Sequence, residues 1–431
     1  MRKPITALAA IAFGALVHDA MAARYDLAPT GPSDDCNEAF ETVANRLAPG
    51  DELVLADGEY WQACRRAIRI SGTSDAPILI RAARGARPIL TRAPNDRDDN
   101  NIEIQGDWLI LRGLTFRGGS TGVRFLSGSH ITFEDNEVFD TSNNAISLNS
   151  GDTDHFVIRN NHIHHTGVVG DDTEGEGLYV GCHSGSCVAS NHLIENNHIH
   201  DLRGTSSGGN DGIEIKFRSH GNVVRGNLIH DTTNGTAYPC IFAYGGGPSR
   251  NIIESNTVYH CGSGILATAD AVIRNNVVLD SSVSGITIRP QKPSPKVRNL
   301  VVVNNTVAGS HPVCAVLRLS GARDVTFANN ALICERGTGL RISGLRNAIA
   351  RANVVIGGLV GARADNDRFT VGDATAVGFV DADARDYRLA DGSELIDAGV
   401  SDLPDLPETD RAGRPRVRGK HVDVGAFESA P

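Results

Sequence analysis

The sequence predicts an all-β solenoid, and two repeating features carry that expectation. An asparagine-centred segment recurs at Asn136, Asn161, Asn197, Asn227, Asn256, Asn276, Asn305, Asn330 and Asn353, at intervals of 20 to 36 residues. Between these segments lies a short apolar strand opened by a small residue, as in Gly122-Val123, Ala145-Ile146, Gly177-Leu178, Gly212-Ile213, Cys240-Ile241, Gly264-Ile265, Gly285-Ile286 and Gly339-Leu340. No single repeat of this size can bury its own apolar face, so the repeats must stack on one continuous core. The architecture that follows is a parallel β-helix.

Each element of the coil has a physical reason. In Gly212-Ile213-Glu214-Ile215-Lys216 the apolar residues alternate with charged ones, which turns Ile213 and Ile215 inward and Glu214 and Lys216 outward. The asparagine column reads as a stacked amide ladder at an inside corner, because asparagine tolerates left-handed backbone and identical amides pair along a stack. His164, His200 and His230 fall at one offset after that ladder, between Phe139 and Tyr259. They read as a surface ladder of rings, although stacked histidines are also able to ligate a metal.

The ends depart from the period. Residues 1–22 combine Arg2 and Lys3, an apolar run and Ala20-Met21-Ala22, the pattern of a secretory signal. Residues 23–100 are expected to hold an N-terminal cap and the first coils, with a helix around 37–47 and the run Pro49 to Tyr60 over the open end. Residues 101–375 form the β-helix, and 376–431 a C-terminal capping segment, since an open coil end is an unpaired strand edge.

Composition narrows the function. With 41 Lys plus Arg against 51 Asp plus Glu, a net charge of −10 and 5% aromatics, the chain lacks the basic field of a nucleic-acid binder. Collagen, coiled coil and multi-span membrane protein are excluded. The expectation is a monomer, secreted or periplasmic, with no transmembrane segment after signal removal. In an oxidising compartment the eight cysteines read as disulfides. Cys240 with Cys261 and Cys314 with Cys334 are one coil apart, and Cys36 with Cys64 and Cys182 with Cys187 complete the simplest scheme. No G-x-S-x-G nucleophile elbow is expected at a strand-to-helix turn, and Gly245-Gly246-Gly247 lacks the lysine and helix of a phosphate loop.

Aligning the small-residue strands gives two outward columns: Ser147, Tyr179, Glu214, Phe242, Leu266, Thr287, and Asn149, Gly181, Lys216, Tyr244, Thr268, Arg289. Gly181 above Lys216 is expected to leave room for a ligand, with Tyr179 and Phe242 as faces for a sugar ring. The two longest repeats, 36 and 30 residues, flank this point, and extra residues in a solenoid usually become loops on the binding face. They carry Asp171, Asp172, Glu174, Glu176 and Asp211, hard oxygen donors suited to Ca²⁺. The plainer expectation is that Glu214 and Lys216 form a surface ion pair worth about 0 to 1 kcal/mol.

The run Pro49-Gly50-Asp51-Glu52-Leu53-Val54-Leu55-Ala56-Asp57-Gly58-Glu59-Tyr60, followed by Ala76 to Ala82, resembles the opening coils of the alginate lyase and chondroitinase B family of right-handed β-helix polysaccharide lyases. The coil Gly175 to Gly181 followed by Asp211 to Lys216 is similar to a broader, pectate lyase-like set of secreted β-helix proteins. The resemblance implies a right-handed helix and cleavage of a uronic acid-containing glycan by β-elimination. Lys216 fits the family's lysine and would serve as base, with Arg218 lowering its pKa. On the next coil Tyr244 stands where the family has arginine and would assist at the leaving oxygen. Tyr179, Glu214, Phe242 and Arg289 would bind substrate. Two other classes remain open: a glycoside hydrolase using Glu176 and Glu214 at roughly 5 to 9.5 Å, and a non-catalytic glycan-binding or surface-structural β-helix.

Overall fold

The computed structural model of the 431-residue chain describes residues 22–429 apart from 30–38, 63, 93–98, 168–172, 206–208, 233–236, 295, 310, 346–347, 363–368 and 372–376. The signal segment, Asp171, Asp172 and Cys36 lie outside the described residues.

The alternating strands wind into coils with three faces. A first face runs through Leu178–Val180, Ile213–Ile215, Pro239–Ala243, Ser263–Ala267, Ser284–Ile288 and Val313–Arg318. The second is a 13-stranded parallel sheet running from Arg24–Leu27 to Ala348–Arg351. A third passes through Glu137–Phe139, His162–His164, His198–His200, Leu228–His230 and Thr257–Tyr259. Inward residues of all three, such as Ile163, Ile194, Ile213 and Ile229, are fully buried in one core cluster. The expected register holds: Ser147, Tyr179, Glu214, Phe242, Leu266 and Thr287 pair in that order on successive coils.

The asparagine ladder occupies the corner between second and third faces. Nδ2 of Asn161 donates to Oδ1 of Asn197, Asn197 to Asn227, and so on through Asn353, at 2.9–3.0 Å. The second Nδ2 proton goes to a backbone carbonyl, as from Asn227 to Ile194. The left-handed conformation expected of the ladder asparagines belongs instead to the residue before each one, among them Asn160, Asn196, Gly226 and Ser255. That residue takes the corner, which leaves the ladder side chain free to point inward. A second ladder is absent from the sequence reading. At the corner between first and second faces the backbone N–H of His192 donates to Asn222 Oδ1, and Asn222 Nδ2 to Asn251 Oδ1, both at 3.0 Å. Burial holds His192 down at about 3, so its neutral ring accepts the Phe156 N–H at Nδ1 and bonds Thr153 through Nε2.

The two ends differ from expectation. The helix spans Ala39–Ala44 and places Phe40 and Ala44 in the core. The run assigned to a cap instead supplies the coil strands Glu52–Leu55 and Gly58–Trp61, because its alternation fits the stacking sheets. The C-terminal segment lies along the side of the solenoid and not across its end. Val377, Tyr387, Leu395, Val424 and Ala426 cover the apolar outer side of the third face at Val277, Leu279, Ala308, Ile333 and Ile356. Arg250 pairs with Asp405 at 2.7 Å, and Asn304 Nδ2 donates to Asp423 O at 3.1 Å. An outward face that is apolar needs such a cover.

Three expected disulfides are formed: Cys182–Cys187, Cys240–Cys261 and Cys314–Cys334, the last two joining neighbouring coils at Cα separations of 5.6 and 5.8 Å. Cys64 is also disulfide-bonded. Among the described residues no helix is long and apolar enough to cross a membrane.

Candidate functional site

A groove of about 600 Å³ lies along the first face. Phe242, Tyr244 and Leu266 form its apolar floor, backed by Phe217, with the Phe242 and Tyr244 rings stacked at 4.0 Å. Arg289, Arg318 and Arg341 line one end, and Asp211, Glu214, Tyr238 and His183 the other. Register explains the row of cations: Ile288 pairs with Leu317, which sets Arg318 on the coil next to Arg289, and Val316 pairs with Arg341.

At the acidic end the outward direction of Glu214 and Lys216 is as expected, but their exposure is not. Both are nearly sealed, at 2% and 3% exposed, and pair at 2.5 Å. The surface ion pair is therefore corrected to a buried one. Alternation decides which side of a strand a residue faces but not what covers that side. Here the Tyr179 ring lies 3.9 Å from Lys216 Nζ, and the Tyr244 ring 5.7 Å. Burial alone would lower the Lys216 pKa, but the Glu214 carboxylate more than offsets it, and the ammonium is held above its ordinary value. Arg218 does not lower it: its guanidinium donates to Gly185 O at 3.0 Å, in the loop closed by Cys182–Cys187. Gly181 leaves no room either, because a side chain there would run into Ser219.

Beside this pair sit two further buried carboxylates. Burial, then the charge of Glu214, pushes Glu176 up to about 8 and raises Asp211. Both oxygens of Glu176 and Oδ1 of Asp211 lack hydrogen-bond partners. Gly209 lies against Glu176, where any side chain would strike the carboxylate. Orphaned buried carboxylate oxygens are costly, and as hard donors their chemistry suits Ca²⁺. Glu174 is exposed but near enough for its charge to raise Glu176 further. Burial also raises Tyr244 and Tyr179, so both are neutral phenols.

The sequence reading missed His183, Tyr238, Arg318 and Arg341. Arg318 was within reach, because Cys314-Ala315 opens its strand as glycine opens the others and Cys314 was already expected to meet the next coil. The described residues contain only two sets of three ligand atoms within 4.8 Å of one another: His162, His198 and His200, and Glu137, His162 and His164. Both are on the third face, and neither was expected as a set.

With the coils, register and groove in view, the molecule is a right-handed parallel β-helix. The chain belongs to the family described as "Right handed beta helix region", whose matches cover residues 100–248 and 171–332, together more than half of the chain. No curated protein matches the chain in sequence. Among solved structures it is similar to pectate lyase Pel9A, with 18% identity, TM-score 0.56, and 95% of this chain and 96% of that one covered. An alginate lyase from Paenibacillus sp. str. FPU-7 is 19% identical, with TM-score 0.51 and coverage of 76% and 99%. The A-module of the Azotobacter vinelandii mannuronan C-5 epimerase AlgE6 is 14% identical, with TM-score 0.56 and coverage of 79% and 95%. At these identities the likeness establishes the fold.

Proposed function

We propose that this protein is an exported polysaccharide lyase that cleaves a uronic acid-containing glycan by β-elimination. The observation that carries the reading is one groove with three arginines at one end and Glu214 and Tyr244 at the other, with the buried Lys216 paired to Glu214 behind that lining. The pectate, alginate and mannuronan in the neighbours' names support the same class of substrate. Arg289, Arg318 and Arg341 meet the sugar carboxylates, and Phe242 and Tyr244 offer ring faces, whereas Tyr179 does not line the groove and packs on Lys216 instead. In the reaction the Lys216 amine takes the proton α to the carboxylate, the bond to the leaving oxygen breaks, and the Tyr244 hydroxyl returns a proton to that oxygen. Glu214 holds Lys216 charged in the resting protein, so its hold must be relaxed before Lys216 acts as base. Glu176, Asp211 and Glu214 are hard oxygen donors of the kind Ca²⁺ takes, but they do not bring one oxygen each within 4.8 Å of one another, so the cluster as it stands does not form a cation site.

Hydrolysis by Glu176 and Glu214 is the second reading; Glu176, like Lys216, is sealed and does not itself line the groove. The test is incubation of the mature protein with a panel of uronic and neutral polysaccharides, with and without chelator. An unsaturated product absorbing in the ultraviolet supports elimination. Chain shortening without that absorbance supports hydrolysis, and binding without shortening supports a non-catalytic role.

A further inference from the structure

The third face carries a feature the groove does not use. On three consecutive coils it presents His162 and His164, His198 and His200, and His230. Their rings stack in register, at 5.3 Å between His162 and His198, 5.3 Å between His164 and His200 and 5.1 Å between His200 and His230. Stacking alone does not require histidine, because Phe139 and Tyr259 continue the same column and stack equally well. The nitrogens do something the carbon rings cannot. Nε2 of His162 faces Nε2 of His200 at 2.7 Å, and Nε2 of His198 faces Nε2 of His230 at 2.8 Å.

The aspartates fix which nitrogen holds the proton. Asp201 and Asp231 take up left-handed backbone directly after the strand, and this returns their carboxylates to Nδ1 of His200 and His230 at 2.7 Å. A carboxylate accepts, so Nδ1 carries the proton and Nε2 presents its lone pair. A carboxylate behind the ring is the arrangement that orients metal-ligating histidines; here the Nε2 lone pairs of His200 and His230 receive the N–H of the facing His162 and His198 rings, protons that a bound ion would displace.

We propose that His162, His198 and His200 bind a divalent transition-metal ion of the zinc class. Ligand atoms of all three lie within 4.8 Å of one another, and imidazole donors select zinc, copper or nickel over calcium. Tetrahedral binding at about 2.0 to 2.1 Å sets two ligand nitrogens about 3.3 Å apart, so the facing Nε2 atoms of His162 and His200 would have to part by about 0.6 Å. An imidazole with its ordinary pKa of about 6.5 is mostly neutral at pH 7 and able to donate a lone pair. The His162 side chain is 44% exposed, which gives the ion access and leaves a coordination position for water. His164, on the same strand as His162, and Glu137, on the preceding coil, lie 3.3 Å apart and extend the cluster. The bound ion would clamp the His162–His164 and His198–His200 strands together.

The test uses untagged, chelator-treated mature protein titrated with Co²⁺ and then Zn²⁺. The expected result is a visible cobalt spectrum of nitrogen and oxygen ligation, displaced by Zn²⁺ and not by Ca²⁺, with about one ion per chain and a raised thermal midpoint. His200→Phe keeps a ring in the stack and removes the nitrogen; it should fold and lose metal affinity at least tenfold. His162→Gln, at a more exposed position, should do the same. No cobalt spectrum, displacement by Ca²⁺, or unchanged affinity in both variants overturns the proposal. None of these outcomes bears on glycan cleavage, which is read separately from product absorbance.

Discussion

Two columns of buried polar groups run through the same coils, and they are built on opposite plans. In the asparagine ladder Asn227 is 1% exposed, its Nδ2 protons reach Ile194 and Asn256, and its Oδ1 receives both the backbone and side-chain N–H of Asn197. At the end of the groove Glu176 is equally buried and neither of its oxygens has a partner. An amide carries donor and acceptor together, so identical neighbours satisfy one another coil after coil. Carboxylates carry only acceptors, and stacking Glu176, Asp211 and Glu214 leaves a deficit of protons or cations. The ladder is therefore a structural device, whereas the acid cluster is a tolerated cost, and such costs collect at functional sites.

The largest expected effect lies in the ladder. Asn227→Leu removes the acceptor of two Asn197 donors and a donor to Asn256, and each buried group left unpaired costs about 1 to 3 kcal/mol. A loss of about 4 kcal/mol or more in denaturant unfolding is expected. A cost near 1 kcal/mol would show that water or backbone shifts replace the amide. The groove should be affected only through stability.

Next comes the ion pair. Lys216→Met should lower turnover by about 10²- to 10⁴-fold, the usual contribution of a general base. It should also destabilise the fold by about 3 to 5 kcal/mol, because Glu214 is left buried beside two other carboxylates. Adding Glu214→Gln should restore most of the stability and none of the activity. Recovery of activity in the double variant would remove Lys216 from the mechanism.

These two sites also mark how far the sequence was legible. The ladder was visible because identical residues recur at a regular place, and the small-residue strands gave the pairing of Tyr179, Glu214 and Phe242 residue by residue. The burial of Glu214 and Lys216 was not visible, because their cover comes from Tyr179 one coil away. The ladder of His192, Asn222 and Asn251 escaped because its members differ in type. The lateral path of residues 393–429 escaped because it has no period, only scattered contacts such as Asp405 with Arg250 and Ala426 with Thr306.

A smaller effect separates the two columns by pH. The ladder amides do not titrate. Glu176 has a folded value of about 8 against an ordinary 4.5, so the native state binds the proton more tightly than the unfolded chain. Its contribution is fully present below about pH 4.5 and is lost as pH rises towards 8. Glu176→Gln should make unfolding free energy less steep over that window, and Asn276→Gln should leave the slope alone. An unchanged slope in Glu176→Gln would mean that the carboxylate is already neutralised by a bound cation, a result that repeating the measurement in chelator resolves.

The smallest expected effect is at the open end of the groove, where a polar side chain faces solvent. Arg318 is exposed and sits beside Arg289, whose own pKa is lowered by burial and by the Arg318 charge. Removing it relieves that repulsion and takes away one contact to a sugar carboxylate. Exposed ion pairs are worth about 0 to 1 kcal/mol, so Arg318→Gln should raise KM for a polyuronate by about two- to fivefold, since about 1.4 kcal/mol is tenfold. The turnover number should stay unchanged because Lys216 and Tyr244 are untouched, and added salt should weaken binding less than in the parent. A neutral glycan should show no change in KM. If Arg318→Gln lowers kcat instead, the reacting sugar sits at the arginine end, and the acid cluster would have no part in its chemistry.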